Sequence, residues 1–166
     1  ALKFQGAVST GVRWISDRVV EIYRYNREKL PTIAILVPSE DDVQAIHDQL
    51  KGHLREESIE SEACQDGRIL GTKAKVRVFN VQYIKGLEFE AVFFVGLDRI
   101  ASLFPELIAR YVYVGLTRAR NFLAITYENS FPSELAIIES EFVPSNWAEL
   151  KQEGEDYGPS AETLHS

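Results

Sequence analysis

Two short stretches carry side chains suited to gripping a phosphorylated ligand. Gln82-Tyr83-Ile84-Lys85-Gly86-Leu87-Glu88-Phe89 sets a Lys-Gly pair and a carboxylate directly behind the alternating, β-branched run Val76-Arg77-Val78-Phe79-Asn80-Val81. Gly86 can take backbone angles closed to other residues, so the chain can turn there and bring its amides close to a ligand. Tyr113-Val114-Gly115-Leu116-Thr117-Arg118-Ala119-Arg120 places Arg118 and Arg120 at the end of an apolar run, just before the strand-like Phe122 to Tyr127. Arginine suits a phosphate because it is planar, always charged and able to donate two parallel hydrogen bonds. Taken singly, the first stretch also reads as a charged turn and the second as the surface of a helix. Both in one chain, in this order, are harder to dismiss.

The elements that must position these residues alternate between strand and helix. Apolar residues at 12, 15, 19, 22 and 23 predict an amphipathic helix from Val12 to about Arg27. Ile33 to Val37 is a continuous apolar run, the pattern of a strand covered on both faces, and Pro38 stops it. Ser39 is placed to cap a following helix, with Asp41 and Asp42 in its first turn and Val43, Ile46, Leu50 and Leu54 as its buried stripe. Further strands are expected at 59–64, 76–81, 91–95 and 122–127, with a basic loop over 67–75. A helix over 103–116 would hold Pro105 in its first turn, and Ser133 would open a short helix over 134–139. The pattern predicts an α/β fold, a parallel sheet with helices on both faces, whose ligands sit at the carboxyl ends of strands. Residues 1 to 11 say little.

The 166 residues are 45% hydrophobic, enough for one domain with a real core. No run approaches the ~20 apolar residues that span a membrane, and no secretory signal opens the chain. Cys64 is the one cysteine, which excludes an internal disulfide and a cysteine-rich metal site; a buried thiol in a cytoplasmic protein, nucleoid-associated if bacterial, is the expectation. The formal charge of −7 argues against tight binding of nucleic acid by this chain alone. The average hides a basic segment, Arg68, Lys73, Lys75 and Arg77, and an acidic one over 139–156. His47 and His53 read as solvated residues of a surface helix, and no histidine sits among acids or cysteine at metal-ligand spacing. Trp14 and Trp147 read as core anchors rather than stacking platforms.

Lys85-Gly86-Leu87-Glu88-Phe89 resembles motif V, and Tyr113 to Arg120 resembles motif VI, of the UvrD/Rep-like superfamily 1 helicases. The likeness is close over residues 76–127 and looser over 31–52. It implies that residues 1–148 form the second RecA-like domain of such a motor, compact and without a large insertion between motifs IV and V. Residues 149–166, polar and acidic, read as a disordered tail. In this family ATP, with Mg²⁺, binds in the cleft between two RecA-like domains. The resemblance assigns the nucleotide to Gly86, Glu88, Arg118 and Arg120: Glu88 to the sugar, Arg118 as the arginine finger and Arg120 in support. It assigns the backbone of single-stranded DNA to Asn80, Gln82 and Lys85.

Three departures accompany the likeness. Asn80 and Gln82 stand where the family has a threonine and a histidine ahead of the Lys-Gly pair. The family's motif IV arginine has no counterpart in Leu36-Val37-Pro38-Ser39. Most important, Gly-x-x-x-x-Gly-Lys-Ser/Thr occurs nowhere, so the lysine and amides that cradle the β- and γ-phosphates are absent from this chain. The expectation is half of a composite site, completed by an N-terminal RecA-like domain of the same polypeptide, and a chain inactive by itself. The alternative, from another class, is a non-catalytic interaction module that keeps the fold without the motor. No membrane partner and no resident metal are expected.

Overall fold

Ile33-Ala34-Ile35-Leu36-Val37 offers no polar side chain to solvent on either face, and it lies in the middle of the sheet with every residue at 0–1% exposure. The computed structural model describes residues 1–71, 73–119 and 122–150. The strands are β1 (Leu2–Gln5), β2 (Ile33–Val37), β3 (Ser61–Cys64), β4 (Val76–Asn80), β5 (Ala91–Phe94) and β6 (Phe122–Tyr127). They pair in the order β1-β6-β5-β2-β4-β3, all parallel. The helices are α1 (Val8–Tyr25), α2 (Glu40–Leu54), α3 (Leu97–Leu103) and α4 (Ile108–Arg118).

Alternation within the strands divides the core in two. Ile33, Ile35, Val37, Val76, Val78, Phe93 and Ala124 face α1 and α2. Ala34, Leu36, Phe79, Val92, Phe94, Leu123 and Ile125 face α3, α4 and the segments around them. The fold is thus the expected RecA-like α/β arrangement, a parallel sheet covered on both sides.

Several local expectations need correction. β1 lies in the stretch that gave no signal; it pairs with β6 alone, and its other side meets only the bridge from Leu2 to Val143. α1 starts four residues earlier than its apolar period suggested, at Val8. The segment 103–116 is not one helix: α3 ends at Leu103 and α4 begins at Ile108, with Pro105 in the turn between them. Proline has no N–H to continue a helical ladder, so the chain breaks there. The segment opened by Ser133 is a 3₁₀ helix, Ser133–Glu141. Ser39 sits at the N-cap of α2 but does not cap through its side chain; its hydroxyl donates to Asp42 at 2.7 Å.

His47 is buried rather than solvated, 7% exposed, and its Nε2 shares a hydrogen bond with the Ser61 hydroxyl at 3.0 Å. That contact pins α2 to β3. Both tryptophans pack on the α1/α2 side: Trp14 stacks on Phe4, and Trp147 meets Phe122 edge-on at 4.9 Å. Leu150 also packs there, and residues 151–166, which hold most of the expected tail, lie outside the described part. Cys64 is fully buried, and desolvation, reinforced by the Glu62 carboxylate, pushes its thiol up to about 12. It stays protonated and unreactive at neutral pH.

Candidate functional site

A parallel sheet dictates the path of the first signature stretch. β4 ends at the carboxyl edge of the sheet, β5 must begin at the amino edge, and the residues between have to cross back over a face. They do so as a 3₁₀ run, Val81–Gly86, followed by Leu87 to Glu90. Val81, Ile84 and Phe89 are buried and fasten the crossing to the core, Phe89 meeting Phe79 edge-on at 5.7 Å. The residues between those anchors are left outside: Gln82, Tyr83, Lys85, Gly86 and Glu88 are exposed.

Asn80 opens the run. Its side-chain oxygen accepts from the Gln82 amide at 3.1 Å, capping the 3₁₀ turn, and its NH₂ donates to Glu40 at 3.4 Å. At 6% exposure, with its polar atoms engaged, Asn80 shapes the turn and presents Gln82. Glu40, in the first turn of α2, is a part of this corner that the sequence gave no reason to single out; it reads there as an ordinary N-terminal acid.

The second stretch arrives from α4. Gly115 lies against Phe94, so closely that a Cβ on it would stand 2.6 Å from the ring. This close approach lets the helix settle on β5 and brings its last residue to the crossing chain. Arg118 donates from Nη1 to the Leu87 carbonyl at 3.3 Å, and the same nitrogen lies 3.8 Å from Glu88 Oε1. The two stretches, remote in sequence, therefore meet. The ion pair is loose and wet: the side chains are 40% and 91% exposed, a setting in which such pairs are worth about 0–1 kcal/mol. Arg118 is held near Glu88 without being committed to it, and little opposes its release to another anion.

The expectation that the site lies at the carboxyl ends of strands holds for Asn80 and Gln82 only. Glu88 precedes β5 and Arg118 ends the helix before β6, so both sit toward the amino edge. One crossing segment thus carries two groups of polar residues at opposite edges of the sheet. Lys85 is exposed between them. Arg120 lies outside the described residues.

Gly86 also differs from its expected role. Its φ is not among the positive ones, and a Cβ there would meet nothing within 4 Å. The fold does not demand glycine at this position. Gly86→Ala is expected to leave stability unchanged or raise it by about 0.4–1 kcal/mol, measured by urea unfolding. A marked loss of stability would show that the turn needs the glycine after all.

Two other observations bound the chemistry. Among the described residues no group of three or more His, Cys, Asp or Glu could hold a metal ion. No described helix is long and apolar enough to cross a membrane. At the end of β2, where the resembling family carries an arginine, Pro38 lies close to Gly96, and the neighbouring Arg99 is tied to Asp42 at 2.9 Å.

Comparison with known proteins bears on this arrangement directly. Residues 75–126, which hold both signature stretches and the strands around them, match the model of the UvrD-like helicase C-terminal domain. Among solved structures, the chain is similar to the C-terminal domain of a possible DNA helicase from Lactobacillus plantarum WCFS1. The two share 21% identity with a TM-score of 0.61, over 86% of this chain and 81% of that one. At that identity the likeness speaks for the fold. No curated protein gives a significant match. The segment 75–126, where Glu88 and Arg118 meet, thus resembles the UvrD-like helicase C-terminal domain, and the chain around it shares the fold of that solved domain.

Proposed function

We propose that the chain is the C-terminal motor domain of an ATP-dependent DNA helicase or translocase, and that it supplies one half of a composite ATP site. The observation that carries this reading is the meeting of Glu88 and Arg118, from separate stretches, at one exposed spot. Neither residue is spent on the core, and the weak contact between them leaves both free to engage a ligand. ATP brings the scissile phosphoanhydride. Glu88 would accept a hydrogen bond from its ribose, and Arg118 would neutralise charge on its terminal phosphate. Gly86, with no side chain, leaves the backbone beside Glu88 open to close approach. Arg120 would add a second cation.

The partner in this reading is a P-loop domain, which would supply the phosphate-cradling motif absent from this sequence, and Mg²⁺ ligands with it. The surface of α4 supports such a partner: Tyr113 is 66% exposed and Leu116 40% exposed, close in sequence to Arg118. Large apolar side chains left bare next to a charged site suit a surface that another domain covers. At the other end of the crossing segment, Gln82 and Lys85 would meet the backbone of single-stranded DNA, positioned by Asn80.

A second reading, a helicase-like interaction module without motor activity, is favoured by one observation: Asn80 is buried and its side chain already engaged. ATP turnover separates the two. A polypeptide carrying a P-loop domain ahead of this chain should hydrolyse ATP faster when single-stranded DNA is added, and this chain by itself should not hydrolyse it. Turnover absent from the joined polypeptide would leave the interaction module.

A further inference from the structure

We infer that Tyr83 is a stacking platform for a base of single-stranded nucleic acid; this deepens the DNA-binding reading and rests on it. The ring is seated from below. Gly67, at φ +73°, lies under it, and a Cβ there would fall 2.8 Å from Cδ1 and 2.9 Å from Cγ of Tyr83. Glycine is required at 67 twice over, by its backbone angle and by the ring against it. Tyr83 as a whole nonetheless remains 37% exposed, so its side chain is braced without being buried. An aromatic side chain braced by backbone and still partly open to solvent gives up little freedom when a base stacks on it.

Its neighbours are those of a backbone-tracking surface. Gln82 and Lys85 are exposed on the same 3₁₀ run, and Arg68, also exposed, follows Gly67 directly. Beyond Arg68, Ile69 and Leu70 are 48% and 75% exposed, extending the apolar ground on which bases could lie. Cations are few here, Asp66 is exposed close by, and the whole chain carries −7. Phosphate attraction is therefore weak, and stacking, which is indifferent to the sign of the surface, has to contribute most of what affinity there is.

The test compares an oligodeoxythymidylate strand with an abasic strand of the same length, both binding this chain at low salt. The chain should prefer the strand with bases by roughly ten-fold, the scale of one stacked base. Tyr83→Leu, which keeps a bulky cover over Gly67 without an aromatic face, should abolish the preference while leaving abasic binding unchanged. Tyr83→Phe should keep it, and Lys85→Ala should weaken both strands alike. Equal binding of both strands by the unaltered chain, or a preference that survives Tyr83→Leu, overturns the platform and leaves DNA binding standing. Binding of neither strand overturns both.

Discussion

Arg118→Ala should lower the DNA-stimulated ATPase rate of a polypeptide that joins a P-loop domain to this chain by about 10³-fold or more. The size follows from the role: an arginine that neutralises charge building on a transferring phosphoryl group is worth about 10³–10⁵ in rate. The variant should remain folded, because its only described contacts are a carbonyl at 3.3 Å and a loose ion pair with an exposed carboxylate. Losing them should change stability by no more than about 0.5–1 kcal/mol. Arg118→Lys should recover only part of the rate, since a point charge on a flexible stem cannot reproduce a planar fork. A rate that falls because the protein unfolds would show in the urea midpoint, and a rate indifferent to the change would remove Arg118 from the chemistry.

The second large effect is expected inside the core. Gly115→Leu should destabilise the domain by an amount at the upper end of the about 1–3 kcal/mol typical of overpacking. The side chain would enter where Phe94 already stands; even a Cβ would lie 2.6 Å and 2.8 Å from two atoms of that ring, which is completely buried. Removing glycine from a helix interior favours the helix by about 1 kcal/mol, so Gly115→Ala separates the two terms. A drop in stability with alanine means that the clash wins; a rise means that Phe94 can move aside. In either variant, displacing α4 would also shift Arg118 relative to Glu88, so ATPase activity should fall further than stability alone explains.

The two glycines of the signature stretches show what a sequence conceals. Gly86 looked like the conformational residue and is not; Gly115 looked like part of an apolar run and proves to be the contact that seats α4 on β5. Turn chemistry is local and can be anticipated from neighbours, whereas a helix's approach to a strand depends on residues far away in the chain. For the same reason the burial of His47 was hidden: its partner Ser61 belongs to a strand on the far side of a loop. The continuous apolar run of β2 and the alternation of β4 were plain, because burial on both faces, or on alternating faces, leaves a period in the residues themselves.

The position of Glu88 and Arg118 toward the amino edge was, by contrast, available beforehand. If β4 and β5 are parallel strands of one sheet, the segment between them must return across it, and whatever precedes β5 lies at the opposite edge from whatever follows β4. The signal was connectivity, not residue type. It also separates Glu88 from Gln82 while keeping both on one crossing segment, capped at one end by Asn80 and approached at the other by Arg118.

The central claim is that Arg118 meets the terminal phosphate of a nucleotide held by a P-loop domain. The most direct test is the affinity of the joined polypeptide for ADP with aluminium fluoride, which imitates the phosphoryl group in transfer, measured beside its affinity for ADP alone. Aluminium fluoride should tighten binding strongly in the unaltered protein, and Arg118→Ala should lose this gain while retaining ADP. Equal tightening in both proteins would mean that the terminal phosphate is stabilised without Arg118, and that Arg118 is no arginine finger.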